Sequence, residues 1–387
     1  MATALVPGAV RASPTERSRA IPRFETVDRP DFEGLRAEWN ELAEASGAPP
    51  FCRHESIRSF IDNFKETCAA PRFVTARDGL GRLVAGLPLA ATRETIGGLP
   101  VRMLASPTNV HSLRFDLLLR DSEDPSVAAP ALLEHLEADD TWDVLRLTDI
   151  KEGGHGWALF DAAKAAGFPV GAWESQRSPY IALPSAVEDL KKTLTPKFRT
   201  NLRRRLKRLR ETGEVRFERF SGDAVSEGLL EECFALESQG WKGRNGSSVV
   251  QSDAVHGFHR DLRKDAAFRA HLSLTLLRLD DRLIGFHYGH VFDGVYSLVI
   301  TSYDEAHREF SPGHLLTETV LEDCVARGLR EFDFLGCDLP WKLDWTTTTR
   351  PHHWLFVFRK TLKGRAGKSL KFGWVKAAHL LLSKLMS

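Results

Sequence analysis

The chain has 387 residues, 42% hydrophobic and 27% charged, with a formal net charge of +1. That length suits two domains of ordinary globular composition and excludes a fibrous, disordered or strongly polyanion-seeking chain. Five scattered cysteines (Cys52, Cys68, Cys233, Cys324, Cys337) form neither a disulfide framework nor a Cys-x-x-Cys zinc site, so no metal is expected and a reducing cytoplasm is the simplest home.

Residues 1–21 are broken by Pro7, Arg11 and Pro14 and lack a sustained apolar stretch, which predicts a disordered tail. No run reaches the 18 or so apolar residues of a membrane span. Arg72–Arg77 and Arg82–Leu87 read as a hairpin around Asp78-Gly79-Leu80-Gly81. Trp142–Leu147 is a strand, followed by a helix that Gly167 stops. A boundary is expected at Pro184–Thr195, giving a first domain over 22–185 and a second over 186–360. The second opens on a helix, Pro196–Thr212, whose Phe198, Leu202, Leu206 and Leu209 make one apolar stripe. Residues 191–210 carry ten Lys/Arg and no acid. Lys197, Arg199 and Arg203 are candidate phosphate contacts, set against a solvated basic face.

Trp241-Lys242-Gly243-Arg244 forms a polar loop in which Trp241 and Lys242 suit a sugar or phosphate acceptor, or merely anchor the loop. Leu272–Leu276 and Arg282–Phe286 repeat the earlier hairpin pattern. His287 and His290 lie at an odd offset on a strand, on opposite faces, which argues against a shared metal; the same holds for His352-His353. His287 alone is either a cleft-facing base or a hydrogen-bonded core residue. A strand ends at Ile300-Thr301-Ser302-Tyr303, and a helix opens at Ser311-Pro312-Gly313-His314-Leu315. Ser311 is read as its N-cap, Pro312 fits the first turn, and Gly313 admits close approach to main-chain amides that attract a pyrophosphate. After Gly328, Phe332-Asp333-Phe334 is a buried strand. Asp333 is read either as a base whose pKa burial raises or as a loop cap. From Trp345 onward there are nine Lys/Arg and no acid, and 361–387 reads as a basic amphipathic tail able to lie on an anionic membrane or to dock on the protein.

Ser302-Tyr303-Asp304 through Ser311-Pro312-Gly313, then Ala326-Arg327-Gly328, Phe332 to Gly336 and Lys342, together resemble the CelD/BcsL-type acyltransferases of the GNAT (GCN5-related N-acetyltransferase) superfamily. These are associated with cellulose and exopolysaccharide production and are related to the FemAB transferases. The resemblance implies an α/β fold of tandem GNAT-like domains, each a mixed, mostly antiparallel sheet flanked by helices. It implies acyl transfer, acetyl from acetyl-CoA foremost, to a hydroxyl or amine of a carbohydrate or lipid-linked sugar acceptor. Ser311 to Leu315 would hold the cofactor. Lys342, Asp333 and Tyr303 are the catalytic candidates, and Trp241, Lys242, Arg199 and His287 the acceptor-side ones. The first half would be a degenerate scaffold. Two other readings stay open: FemAB-like transfer from aminoacyl-tRNA, and a non-catalytic membrane-surface or nucleic-acid adaptor.

Overall fold

The computed structural model describes residues 21–385, apart from the side chains of Trp241 and of residues 374 onward. The tail expected over 1–21 therefore lies outside the described residues, Ile21 excepted. Thirteen strands follow in chain order: β1 (Arg23–Val27), β2 (Ala70–Arg77), β3 (Leu83–Ile96), β4 (Leu99–Ala105), β5 (Leu118–Leu119), β6 (Val144–Lys151) and β7 (Val170–Ala182) in the first half. The second half contributes β8 (Val215–Ser221), β9 (Leu272–Leu279), β10 (Arg282–Phe292), β11 (Val295–Tyr303), β12 (Glu331–Asp333) and β13 (Thr349–Phe358).

Both hairpins form where turn chemistry allows the chain to reverse. Asp78 accepts the amides of Leu80 and Arg82 while Gly81 takes φ +80°, and Asp280 takes φ +52° between β9 and β10. The strands join one sheet in the order β1-β2-β3-β4-β6-β13-β7-β12-β11-β10-β9-β8, with β5 beside β3. Each half runs antiparallel through its first four strands. A helical crossover then brings the next strand in parallel: β6 beside β4 through the Pro125–Ala138 helix, and β12 beside β11 through the Pro312–Ala326 helix. This is the expected tandem α/β arrangement of two mixed, mostly antiparallel halves.

The last strand of each half is exchanged. β7 ends the first half in sequence, yet Tyr180–Ala182 pair with β12. β13 ends the second half, yet it lies between β6 and β7. The sequence boundary near residue 185 therefore does not divide the sheet.

One core spans both halves and joins Trp39, Phe60 and Phe73 to Phe234, Phe258 and Phe286. Across it, Ser59 donates to the Phe258 carbonyl at 3.1 Å, and a Cβ on Gly257 would lie 2.0 Å from Asn63 Oδ1. Leu202, Leu209, Leu277, Leu316, Phe332 and Phe334 fill a second core. A small third core of Val101, Met103, Phe356 and Phe358 receives Leu370 and Phe372 from the last helix, Leu362–Leu385. Phe372 sits so close that a Cβ on Gly171 would be 2.4 Å from its ring. The described part of the basic tail is thus docked on the protein; the rest of that expectation falls on side chains outside the described residues. Among the described residues no helix is long and apolar enough to cross a membrane.

The strand exchange has a measurable consequence. Expressed alone, residues 186–387 lack β7, which opens the β12 edge and uncovers Phe332 and Ile181's partners, so the fragment should show no cooperative melting transition. Residues 21–185 supplied in trans should restore it. A sharp transition in the isolated fragment would contradict the interlocked fold.

Candidate active site

β11 and β12 touch over only three pairs, Val295–Ser297 against Glu331–Asp333. Past that point they part. β12 stops at Asp333, and the chain turns through two consecutive left-handed residues, Leu335 (φ +52°) and Gly336 (φ +55°). β11 continues to Tyr303, with its register slipping against β10 so that Val299 is left over as a bulge. From Leu298 to Tyr303 it pairs with β10 alone among the described residues, leaving one main-chain edge open. The gap is a cavity of about 630 Å³. Val299 and Tyr303 line it from β11, Leu335 to Cys337 from the turn, and Ser311, Gly313 and His314 from the crossover helix. Lys242, Arg308 and Lys342 face it against one acid, Glu305, which Arg244 holds at 2.8 Å.

The helix start differs from expectation. Ser311 is left-handed (φ +51°, ψ +59°) and its hydroxyl does not cap the helix; its carbonyl instead accepts the amides of His314 and Leu315. Pro312 and Leu315 point into the core and do not line the cavity. Gly313 does, and a Cβ there would meet only Tyr303, at 3.7 Å. Its amide has no main-chain partner among the described residues. His314 Nδ1 accepts from the Trp345 indole at 3.1 Å, so its proton sits on Nε2, 3.4 Å from Asp344.

Lys342 is buried on the short Pro340–Leu343 helix. Its ammonium donates to the carbonyls of Leu335 (2.5 Å) and Cys337 (3.0 Å), which the left-handed turn directs at it. Burial pulls its pKa down to about 8. A cation is thereby fixed at the wall of a cavity beside an open strand edge and an uncapped helix start.

Residues 196–343 match the acetyltransferase (GNAT) domain family. No curated protein matches the chain. Among solved structures the fold is similar to FemX, with TM-score 0.57 and 11% identity over 86% of this chain and 96% of that one. It is also similar to L-PGS from Bacillus licheniformis, with TM-score 0.51 and 14% identity over 89% and 95%. A conserved protein of unknown function from Bacteroides thetaiotaomicron gives TM-score 0.50 and 11% identity over 87% and 99%.

The half outside the GNAT match closes the equivalent gap. Past the β4–β6 pairing, Ser106 donates its amide to Arg146, its hydroxyl bonds Thr148 Oγ1 at 2.8 Å and accepts the Thr148 amide, and Phe115 bridges to Ile150. Its crossover helix is capped by its own Asp124, which accepts the Ser126 amide at 2.8 Å. An anion is already in place there.

The remaining candidates fall in different places. Tyr303 is partly exposed at the cavity rim. Lys242 lines the cavity and pairs with the buried Glu237 at 2.7 Å. The Trp241 side chain is outside the described residues. Arg199 does not line the cavity, although Phe198 on the same helix packs edge-on against His314 and Trp345. His287 is a correction: it is fully buried, lines neither cavity, and both its ring nitrogens lack partners among the described residues. Burial lowers its pKa to about 3 and keeps it neutral. Asp333 is absent from the lining of the first cavity and takes its loop-capping alternative. It accepts the Leu335 amide at 2.7 Å and faces Arg114 at 3.4 Å and Arg350 at 3.6 Å. Among the described residues no group of three or more His, Cys, Asp or Glu could hold a metal ion.

Asp333 belongs to a second cavity, of about 570 Å³, which Leu335 also borders. Arg114, Asp149, Arg350 and His352 line it, and the sequence reading missed these roles. They come from three separate segments, Arg350 and His352 sharing β13, and Arg114 meets Asp333 across 219 positions of sequence.

The cap correction is testable. Loss of a working N-cap hydroxyl costs about 1 kcal/mol. Ser311→Ala should instead change unfolding free energy by less than about 0.5 kcal/mol, and Ser311→Gly should be no less stable than the parent because it relieves a left-handed conformation that costs an L-residue about 1–2 kcal/mol. Chemical denaturation decides; a loss of about 1 kcal/mol in Ser311→Ala would restore the N-cap.

Proposed function

We propose that the protein is an acyltransferase that moves an acyl group, acetyl foremost, from acyl-CoA to a hydroxyl or amine of a carbohydrate intermediate in exopolysaccharide or cellulose synthesis. The observation that carries this reading is the parting of β11 from β12 into a cation-rich cavity that ends on an uncapped helix start. The volume is that of a small-molecule site. A diphosphate oxygen would meet the Gly313 amide, helped by Arg308. The pantetheine arm would lie along the open edge of Leu298–Tyr303 and bring the thioester toward Lys342. The acceptor would enter from the second cavity and reach the thioester past Leu335.

The acceptor oxygen or nitrogen then attacks the thioester carbonyl and loses its proton to solvent. The C–S bond breaks, and the sulfur leaves as a thiolate. Lys342, protonated and held by two carbonyls, supplies the thiolate's proton and is re-protonated from water. Positioning of both substrates would provide much of the rate. No covalent intermediate on the protein is required. A FemAB-like aminoacyl-tRNA donor is the second reading. It is favoured by the basic Pro196–Arg210 helix, which reaches the cavity rim through Phe198.

Calorimetry with acetyl-CoA against charged tRNA separates the two donors. Acetyl-CoA should bind and tRNA should not; the reverse outcome selects the second reading. Thiol release from acetyl-CoA with a mixture of hexosamines should fall as pH rises through about 8, where Lys342 loses its proton. Lys342→Met should lower the rate about 100-fold. Lys342→Arg should lose nearly as much activity as Lys342→Met, because a guanidinium keeps the charge but does not give up its proton. Full activity in the arginine variant would remove Lys342 from the proton transfer.

A further inference from the structure

The second cavity contains a polar group with no evident structural use. His352 on β13 is fully buried and lines this cavity. Its Nδ1 lies 3.2 Å from the Asp149 carbonyl oxygen. A carbonyl only accepts, so Nδ1 carries the proton and Nε2 presents a lone pair. That Nε2 is buried and has no partner among the described residues. A buried acceptor left without a partner is costly, so its retention calls for an explanation. Asp149 supplies its carbonyl from a left-handed conformation (φ +58°), a strained arrangement for a residue other than glycine. Burial holds the imidazole neutral, its pKa lowered to about 3.

The surroundings narrow the ligand. Five Lys/Arg side chains in the lining face six Asp/Glu, so the site offers no net attraction for an anion. This contrasts with the first cavity. Most of these charges are already paired: Arg350 forks onto Glu331 at 2.8 and 3.0 Å, Arg53 meets Glu44 at 2.8 Å, and Arg330 meets Asp293. Phe51, Phe115 and Phe292 add apolar ring surface. Donors and acceptors in near-equal number beside ring faces match a neutral polyhydroxyl ring better than a phosphate. The site is also tied to the donor side. Arg114 donates to Ser178 at 2.7 Å, Ser178 donates to the Gly336 carbonyl at 2.6 Å, and Gly336 lines the first cavity.

The geometry points to the second cavity as the binding site for an uncharged sugar unit, with His352 Nε2 accepting a hydrogen bond from one of its hydroxyls. This rests on the acyl-transfer reading for its purpose, and it adds the class of acceptor and a residue that orients it.

The test uses the full chain labelled with ¹⁵N-histidine, and three probes: methyl glucoside, glucose 1-phosphate and acetyl-CoA. In the unmodified protein the His352 ring should show a protonated Nδ1 and a bare Nε2, and methyl glucoside should shift the Nε2 resonance. His352→Gln identifies the signal and should weaken methyl glucoside at least five-fold while acetyl-CoA affinity changes less than two-fold. Glucose 1-phosphate should bind no better than methyl glucoside. An Nε2-protonated ring, a resonance that saturating sugar leaves unmoved, or a ten-fold preference for the phosphorylated sugar would overturn the inference. The ring measurement needs no variant and stands even if His352→Gln fails to fold. Acetyl-CoA binding without sugar binding sinks this inference alone; sugar binding without acetyl-CoA binding sinks the donor reading and keeps the sugar site.

Discussion

The separation of β11 from β12 after Ser297 and Asp333 is the constraint on which the rest of the structure depends. Two parallel strands that stayed paired would satisfy one another's main chain and leave no site. Asp333 prevents this by binding the amide of Leu335, two residues on, and thereby turning the chain away. Leu335 and Gly336 accept positive φ, and Lys342 satisfies the carbonyls that the turn exposes. One buried carboxylate and one buried ammonium thus hold the same turn from opposite sides. The ammonium faces one cavity and the carboxylate the other.

That turn is also where the two halves meet. Arg114 and Ser178 come from the first half and reach Asp333 and the Gly336 carbonyl in the second. The exchange of β7 and β13 places these residues there, since β7 delivers Ser178 to the edge that β12 leaves. The first half repeats the strand order but stitches its own gap with Ser106 and Thr148. What it adds to the other half is the pair Arg114 and Ser178 against the turn after β12.

Local chemistry was legible in the sequence. Turn residues announced both hairpins, the helix opening at Pro312 followed from Pro and Gly, and the family resemblance pointed to Lys342 beside the cavity. What depended on side-chain direction was not legible. Pro312 and Leu315 belong to the helix that opens the site, yet the helical period turns them into the core. Ser311 has the right identity for a cap, but the preceding 3₁₀ turn, Glu305–Phe310, delivers it in a left-handed conformation that removes its hydroxyl from the role. His287 lies on a strand whose two faces are both covered, which no single-strand pattern reveals. The second cavity was invisible because Arg114, Asp149, Asp333 and His352 become neighbours only through the strand exchange.

The central claim is that the open edge of β11 and the adjoining helix start receive one extended, anionic donor. Amide hydrogen exchange with and without acetyl-CoA tests it most directly. The account predicts new protection confined to the open-edge amides of Leu298–Tyr303 and to Gly313, with the Ser106–Thr148 region of the first half unchanged. Saturating acetyl-CoA that leaves the β11 edge exchanging at its free rate, or that protects the first half instead, would contradict it.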